Sequence, residues 1–147
     1  MNQQDYAQAV HAVLDRHTDQ AAAQLRRALD ALPDRVRGVT LDIFVDQGGE
    51  GFLTVRVGLE GPDLYVLNKA IAAHACLFDT TMHDDGLHPG LPLMGGDAEF
   101  PVGHVLTDTA ARWLQVVWQA TGHPARGLPV RIDSPEGHGR KLPVVLQ

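Results

Sequence analysis

Residues 39–59 read VTLDIFVDQGGEGFLTVRVGL, and the spacing of their apolar side chains decides the fold class. Val39, Leu41, Ile43 and Val45 alternate with Thr40, Asp42 and Phe44, and beyond the glycine-rich break Leu53, Val55, Val57 and Leu59 alternate with Thr54 and Arg56. A period of two belongs to a strand, whose successive side chains point to opposite faces. The segment therefore predicts an antiparallel hairpin with one buried face. Its register follows as well, because the two apolar faces coincide only when paired residue numbers sum to an even value. A three-residue loop at Gly48, Gly49 and Glu50 meets that condition and sets Asp42 opposite Arg56, where opposite charges favour the pairing. A two-residue turn at Gly48 and Gly49 would instead set core Ile43 against Thr54.

Upstream of the hairpin, Val10, Leu14, Ala21, Leu25, Ala28 and Leu32 recur at helical spacing and Pro33 ends the pattern, so residues 4–32 read as helix. An unbroken helix of that length would run about 43 Å, beyond the roughly 38 Å diameter of a compact domain of this size. Either it overhangs or it bends near Thr18 and Asp19. Downstream, Gly61 and Pro62 introduce a second helix over 63–79, with Leu64, Leu67, Ile71, Ala75, Phe78 and His74 facing inward and Tyr65, Lys69 and Cys76 outward. A third helix spans 101–121, with Pro101 in its first turn and Gly122 just past its end. Its core arc is Val102, Leu106, Ala110, Trp113, Val116, Val117 and Ala120. Residues 128–133 and 140–146 make a second hairpin, and Pro143, lacking a ladder donor, puts the last strand on an edge. The Gly- and Pro-rich stretch 80–100 reads as a long loop with one short strand at 90–94. The order α-β-β-α-α-β-β predicts one α+β domain over residues 1–147, a mainly antiparallel four-stranded sheet of two hairpins packed by three helices.

A chain of 147 residues can bury a sizeable core without cross-links. Cys76 is the only cysteine and residues 1–14 lack a secretory pattern, which points to a reducing cytoplasm. No apolar run approaches membrane-spanning length. A formal charge of −6 argues against nucleic acid as partner. The arginines 26, 27, 35 and 37 flank a helix C-terminus, where cations favour the macrodipole. Arginine greatly outnumbers lysine, which occurs only at 69 and 141, a bias of GC-rich bacterial genomes.

No phosphate-binding, dinucleotide, serine-hydrolase or H-E-x-x-H signature occurs, and no cofactor is expected. The densest polar cluster is His83-Asp84-Asp85-Gly86-Leu87-His88. His83, Asp85 and His88 offer ligand types for zinc, iron or manganese, with Asp84 orienting one of them, and such an ion would activate water for hydrolysis. A plain Asp-Asp-Gly turn explains the same residues. His74, on the inner side of the second helix, is the polar contact that a small-molecule pocket between helices and sheet would use. Cys76 has no neighbouring base in sequence to make it a nucleophile. On the third helix His104, Thr107, Ala111, Leu114 and Trp118 form a second stripe away from the core arc, and an exposed tryptophan beside a leucine is a common interface anchor. A helix packed on two sides would use the same stripe as core.

Two segments, FLTVRVGLEGPDLYVLN at residues 52–68 and LTDTAARWL at 106–114, resemble an uncharacterised family of small actinobacterial proteins over most of the chain. The resemblance implies a bacterial cytoplasmic protein and carries no functional residue with it. The leading reading is a non-enzymatic binding domain that recognises a protein partner or its own copy through His104, Ala111, Leu114 and Trp118, in the manner of a small acidic immunity protein. A metal-assisted hydrolase at His83, Asp85 and His88 is the alternative, and a small-molecule site at His74 a second one.

Overall fold

The computed structural model describes residues 1–95, 98–122, 127–137, 139 and 142–146. His123, His138, Arg140 and Lys141 lie outside the described residues, and with them the start of the predicted last strand.

The hairpin pairs as its alternation dictates. Strand β1 (Gly38–Val45) and β2 (Leu53–Glu60) are antiparallel, with Leu41 opposite Val57 and Asp42 opposite Arg56. Every residue of the apolar face is buried, from Val39 to Val45 and from Leu53 to Leu59. The loop is wider than three residues, because the ladder stops at Val45 and Leu53. Asp46 supplies the reason: its carboxylate accepts from the backbone N–H groups of Glu50, Gly51 and Phe52 at 2.8–3.0 Å, so these donors need no ladder partner. Gly51 allows this geometry, with φ of +105° and a Cβ position only 2.7 Å from the carbonyl of Pro92.

The predicted first helix is two. Helix α1 (Gln3–Asp15) is capped by Asn2, whose side chain accepts from Asp5 N–H, and α2 (Thr18–Asp30) follows after a break at Arg16 and His17. Burial of Trp113 fixes the break: its indole Nε1–H donates to Thr18 Oγ1 at 3.0 Å. The predicted second helix is shorter than its apolar spacing suggests. Helix α3 (Leu64–Ala70) gives way to a 3-10 turn at Ala72–His74, and the chain enters strand β3 (Cys76–Asp79) on the edge of β2. A register shift there lets the neighbours Leu77 and Phe78 both be buried. Thr80 then stands in for the ladder, its hydroxyl donating to Leu53 C=O and accepting from Leu53 N–H.

The stretch read as a long loop contains a small hairpin, β4 (Thr81–His83) and β5 (Gly86–His88), while residues 90–94 form no strand. Met94 N–H donates to Glu50 C=O and ties this stretch to the loop of the first hairpin. Helix α4 (Val102–Thr121) has the predicted extent and ends at Gly122 with φ of +64°. Strands β6 (Val130–Asp133) and β7 (Val144–Leu146) close the fold as an antiparallel pair.

Instead of four mainly antiparallel strands and three helices, the described residues form four α-helices and a mixed five-stranded sheet of order β3-β2-β1-β6-β7. Strands β1 and β6 are parallel, Val39 beside Val130 and Leu41 beside Ile132. Parallel neighbours require a crossover, and α4 provides it by passing over the inner face of the sheet. Helices α1 and α2 both pack on α4, and α2 also reaches β3. Helix α4 is therefore enclosed: Ala111, Leu114 and Trp118 are buried like Leu106 and Trp113, whereas Val116 of the expected core arc is 47 % exposed. Buried Thr107 and Thr109 keep their hydroxyls satisfied on the carbonyls four residues back.

Candidate functional site

On the side of α4 turned from the sheet, His104, Asp108, Ala111, Arg112 and Gln115 follow one another at helical spacing and form the floor of a cleft. Gln3, Gln4 and Ala7 of α1 make one wall, and Pro101, Leu142 and Val144 the other. The small side chains of Ala7 and Ala111 leave space unfilled here, a volume of about 520 Å³, within the range of sites for small organic ligands.

His104 is not a solvated surface residue. It is half-buried, and its Nδ1 accepts from Gly139 N–H at 3.0 Å. Gly139 also crowds Asp108, whose Oδ1 lies 3.2 Å from the Cβ position of that glycine. Arg112 is exposed and has no carboxylate within ion-pair distance among the described residues. Among the described residues the lining contains no hydroxyl or thiol, and Asp108 is its one carboxylate.

The predicted partner stripe thus divides. His104 and Ala111 line the cleft, while Leu114 at 0 % and Trp118 at 7 % exposure are core residues rather than an exposed anchor. The helix is packed on two sides, the alternative under which this stripe serves as core. His74 is half-buried on the 3-10 turn and lines neither this cleft nor the smaller one, about 290 Å³, between α2 and β3. That smaller cleft holds Cys76, Gln24 and Arg27. Partial burial, with the nearby Asp79, pushes the Cys76 thiol up, away from the reactive thiolate.

The residues proposed as metal ligands do come together on the β4–β5 hairpin. The His83 and His88 rings are 4.3 Å apart, Asp85 Oδ1 is 2.7 Å from His88 Nε2, and Thr81 Oγ1 is 3.0 Å from His83 Nε2. The hydrogen bond from His88 holds the Asp85 carboxyl below its usual range. Both ring nitrogens named are thus engaged, and among the described residues no group of three or more His, Cys, Asp or Glu side chains is arranged to hold a metal ion.

Two features of the interior escape the pattern reading. Tyr6 is fully buried and, among the described residues, its hydroxyl has no hydrogen-bond partner. Burial and the charge of Asp46 push the phenol well above its ordinary range. The spacing Tyr6, Val10, Leu14 carried this signal, since the apolar stripe of α1 extends one turn earlier than Val10. On the outer face of the sheet Asp42 does not pair with Arg56; it accepts from Thr40 Oγ1 at 3.1 Å. Gly58 makes room, for a Cβ there would lie 2.7 Å from both oxygens. Beside it Arg131 binds Glu60 at 2.9 Å and lies 3.8 Å from Asp133.

All 147 residues match a family of unknown function, DUF6389. The chain belongs to that family. No curated protein and no solved structure matches it. Membership accords with the resemblance of residues 52–68 and 106–114 to an uncharacterised family, and it assigns no residue a role. Among the described residues no helix is long and apolar enough to cross a membrane.

Proposed function

We propose that this chain is a binding domain whose ligand enters the cleft between α1, α4 and β7. One observation carries the reading: a cleft of about 520 Å³ lined by His104, Arg112, Gln115, Gln3 and Gln4 together with apolar side chains. A concave, mainly apolar site with a few convergent polar groups is the usual form of a small-ligand site. Two residues of the predicted recognition stripe, His104 and Ala111, belong to it. Native mass spectrometry of protein purified from its own host under mild conditions tests the proposal. A compound retained at a stoichiometry near one, and lost when Ala7→Trp fills the cleft, supports it; the same compound retained by the variant removes the site.

The alternative expected from the sequence, a metal-assisted hydrolase, has only the closeness of His83, Asp85 and His88 on the β4–β5 hairpin behind it, since these side chains are not arranged to hold an ion. Elemental analysis of protein purified without added metal decides it. Stoichiometric zinc, iron or manganese that disappears in a His83→Ala, His88→Ala double variant supports the enzyme, and metal-free protein excludes it.

A further inference from the structure

We infer that helix α3 seats the chain on the surface of an anionic phospholipid bilayer, a role independent of the cleft. Helix α3 buries a single residue, Leu67, whose Cδ1 lies 3.0 Å from the Cβ position of Gly61. Asn68 fastens the helix to the sheet, accepting from Leu59 N–H at 3.1 Å and donating to Leu64 C=O at 2.8 Å. Leu64, Tyr65 and Val66 are each more than half exposed, Tyr65 at 80 %. Consecutive helical residues point about 100° apart, so these three side chains cover about 200° of the circumference. A flat protein face would touch one side of such a knob and leave the rest in water, whereas a fluid layer covers all of it.

Area argues the same way. A stable protein–protein interface takes about 800 Å² from each partner, far more than one helix of seven residues offers, while insertion into the headgroup region needs only a few apolar side chains. Tyrosine suits that layer, its ring apolar and its hydroxyl wet. The charges fit as well. Residues 34–37 run beside the start of α3, with Arg37 N–H donating to Glu60 C=O at 2.7 Å and Arg35 C=O 2.8 Å from the Cβ position of Gly61. The exposed charges of residues 34–37 and 61–70 are Arg35, Arg37 and Lys69 against Asp34 and Asp63, so a chain of net charge −6 is slightly basic here. No acid occurs from Leu64 to Phe78, and Lys69 follows Tyr65 and Val66 by one helical turn, its cation on a long apolar stem.

Co-sedimentation of the full chain with phosphatidylcholine vesicles, with and without phosphatidylglycerol, tests the assignment. The chain binds the mixed vesicles, and a Leu64→Ser, Val66→Ser double variant binds them at least tenfold more weakly, as loss of two inserted aliphatic side chains dictates. Lys69→Gln weakens binding to the mixed vesicles about fivefold and leaves phosphatidylcholine alone unaffected. A Met82→Ser, Leu93→Ser variant, altered at two exposed apolar residues elsewhere, binds like the parent. All these side chains are exposed, so the variants fold, which circular dichroism verifies. In Tyr65→Trp the added indole emission shifts to the blue with mixed vesicles. Absence of binding to either vesicle, or binding that the double variant retains, overturns the proposal. So does a dimer in sedimentation velocity without lipid that Tyr65→Ser dissociates, which gives this face to a second copy.

Discussion

Asp42 illustrates how a register read correctly can still mislead about the contact. It lies opposite Arg56 as the alternation requires, yet its carboxylate turns to Thr40 because Gly58 leaves that side of the strand open. Burial is the main cause that raises its pKa, opposed by the Thr40 hydrogen bond and reinforced by Asp133. A carboxyl whose folded pKa is raised contributes stability below its unfolded value and loses it as pH rises through the folded one. Asp42→Asn keeps an acceptor for Thr40 and removes the ionisation. We predict that the variant melts with the parent at pH 4 and above it at pH 7. The gain is on the order of 1–2 °C, because the site is only partly buried and is screened by solvent. Thermal melts of both proteins across that range provide the check, and a variant less stable at pH 7 would show that ionised Asp42 helps the fold. The residue pairings of β1 and β2 were legible because a period of two admits only registers of even sum and the opposite charges at Asp42 and Arg56 single out one of them; the side-chain partner was not, since it depends on the absent side chain of Gly58.

At the scale of elements, legibility follows how far each segment's surroundings depend on distant chain. Helix α4 carries its own signals in Pro101 and Gly122, and its extent came through. Its faces did not, because α1 and α2 pack against it in addition to the sheet. Trp118 records the difference. At 7 % exposure it is part of the core, so Trp118→Ala should cost about 3–5 kcal/mol in chemical denaturation, as truncations of large aromatics do. A loss under about 1 kcal/mol would return it to the surface. In residues 63–79 the spacing of Leu67, Ile71, Ala75 and Phe78 fits a helix, and all four are indeed buried. Helix nevertheless yields to strand at Cys76, where pairing with β2 outweighs local preference. For the first helix, length alone left two choices, an overhang or a bend near Thr18 and Asp19, and the break at Arg16 and His17 is the second.

For the whole molecule, the class of the fold was readable and the order of its strands was not. Parallel pairing of β1 with β6 joins residues 39–42 to 130–133, and no local pattern announces a contact at that separation. The cleft has the same character. It is assembled from residues 3–7, 101–115 and 142–144, three stretches that meet only because α4 crosses the sheet and β7 folds back beside it. The His83 to His88 cluster, contiguous in sequence, stood out for the opposite reason. The measurement that bears most directly on the binding-domain account is a 1H–15N correlation spectrum recorded during titration with a mixed library of small organic fragments. The account predicts that shift changes converge on the amides of His104, Asp108, Ala111, Arg112 and Gln115, with Gln3, Gln4 and Ala7 following. Changes centred on residues 81–88, or spread over the outer face of the sheet with the cleft silent, would contradict it.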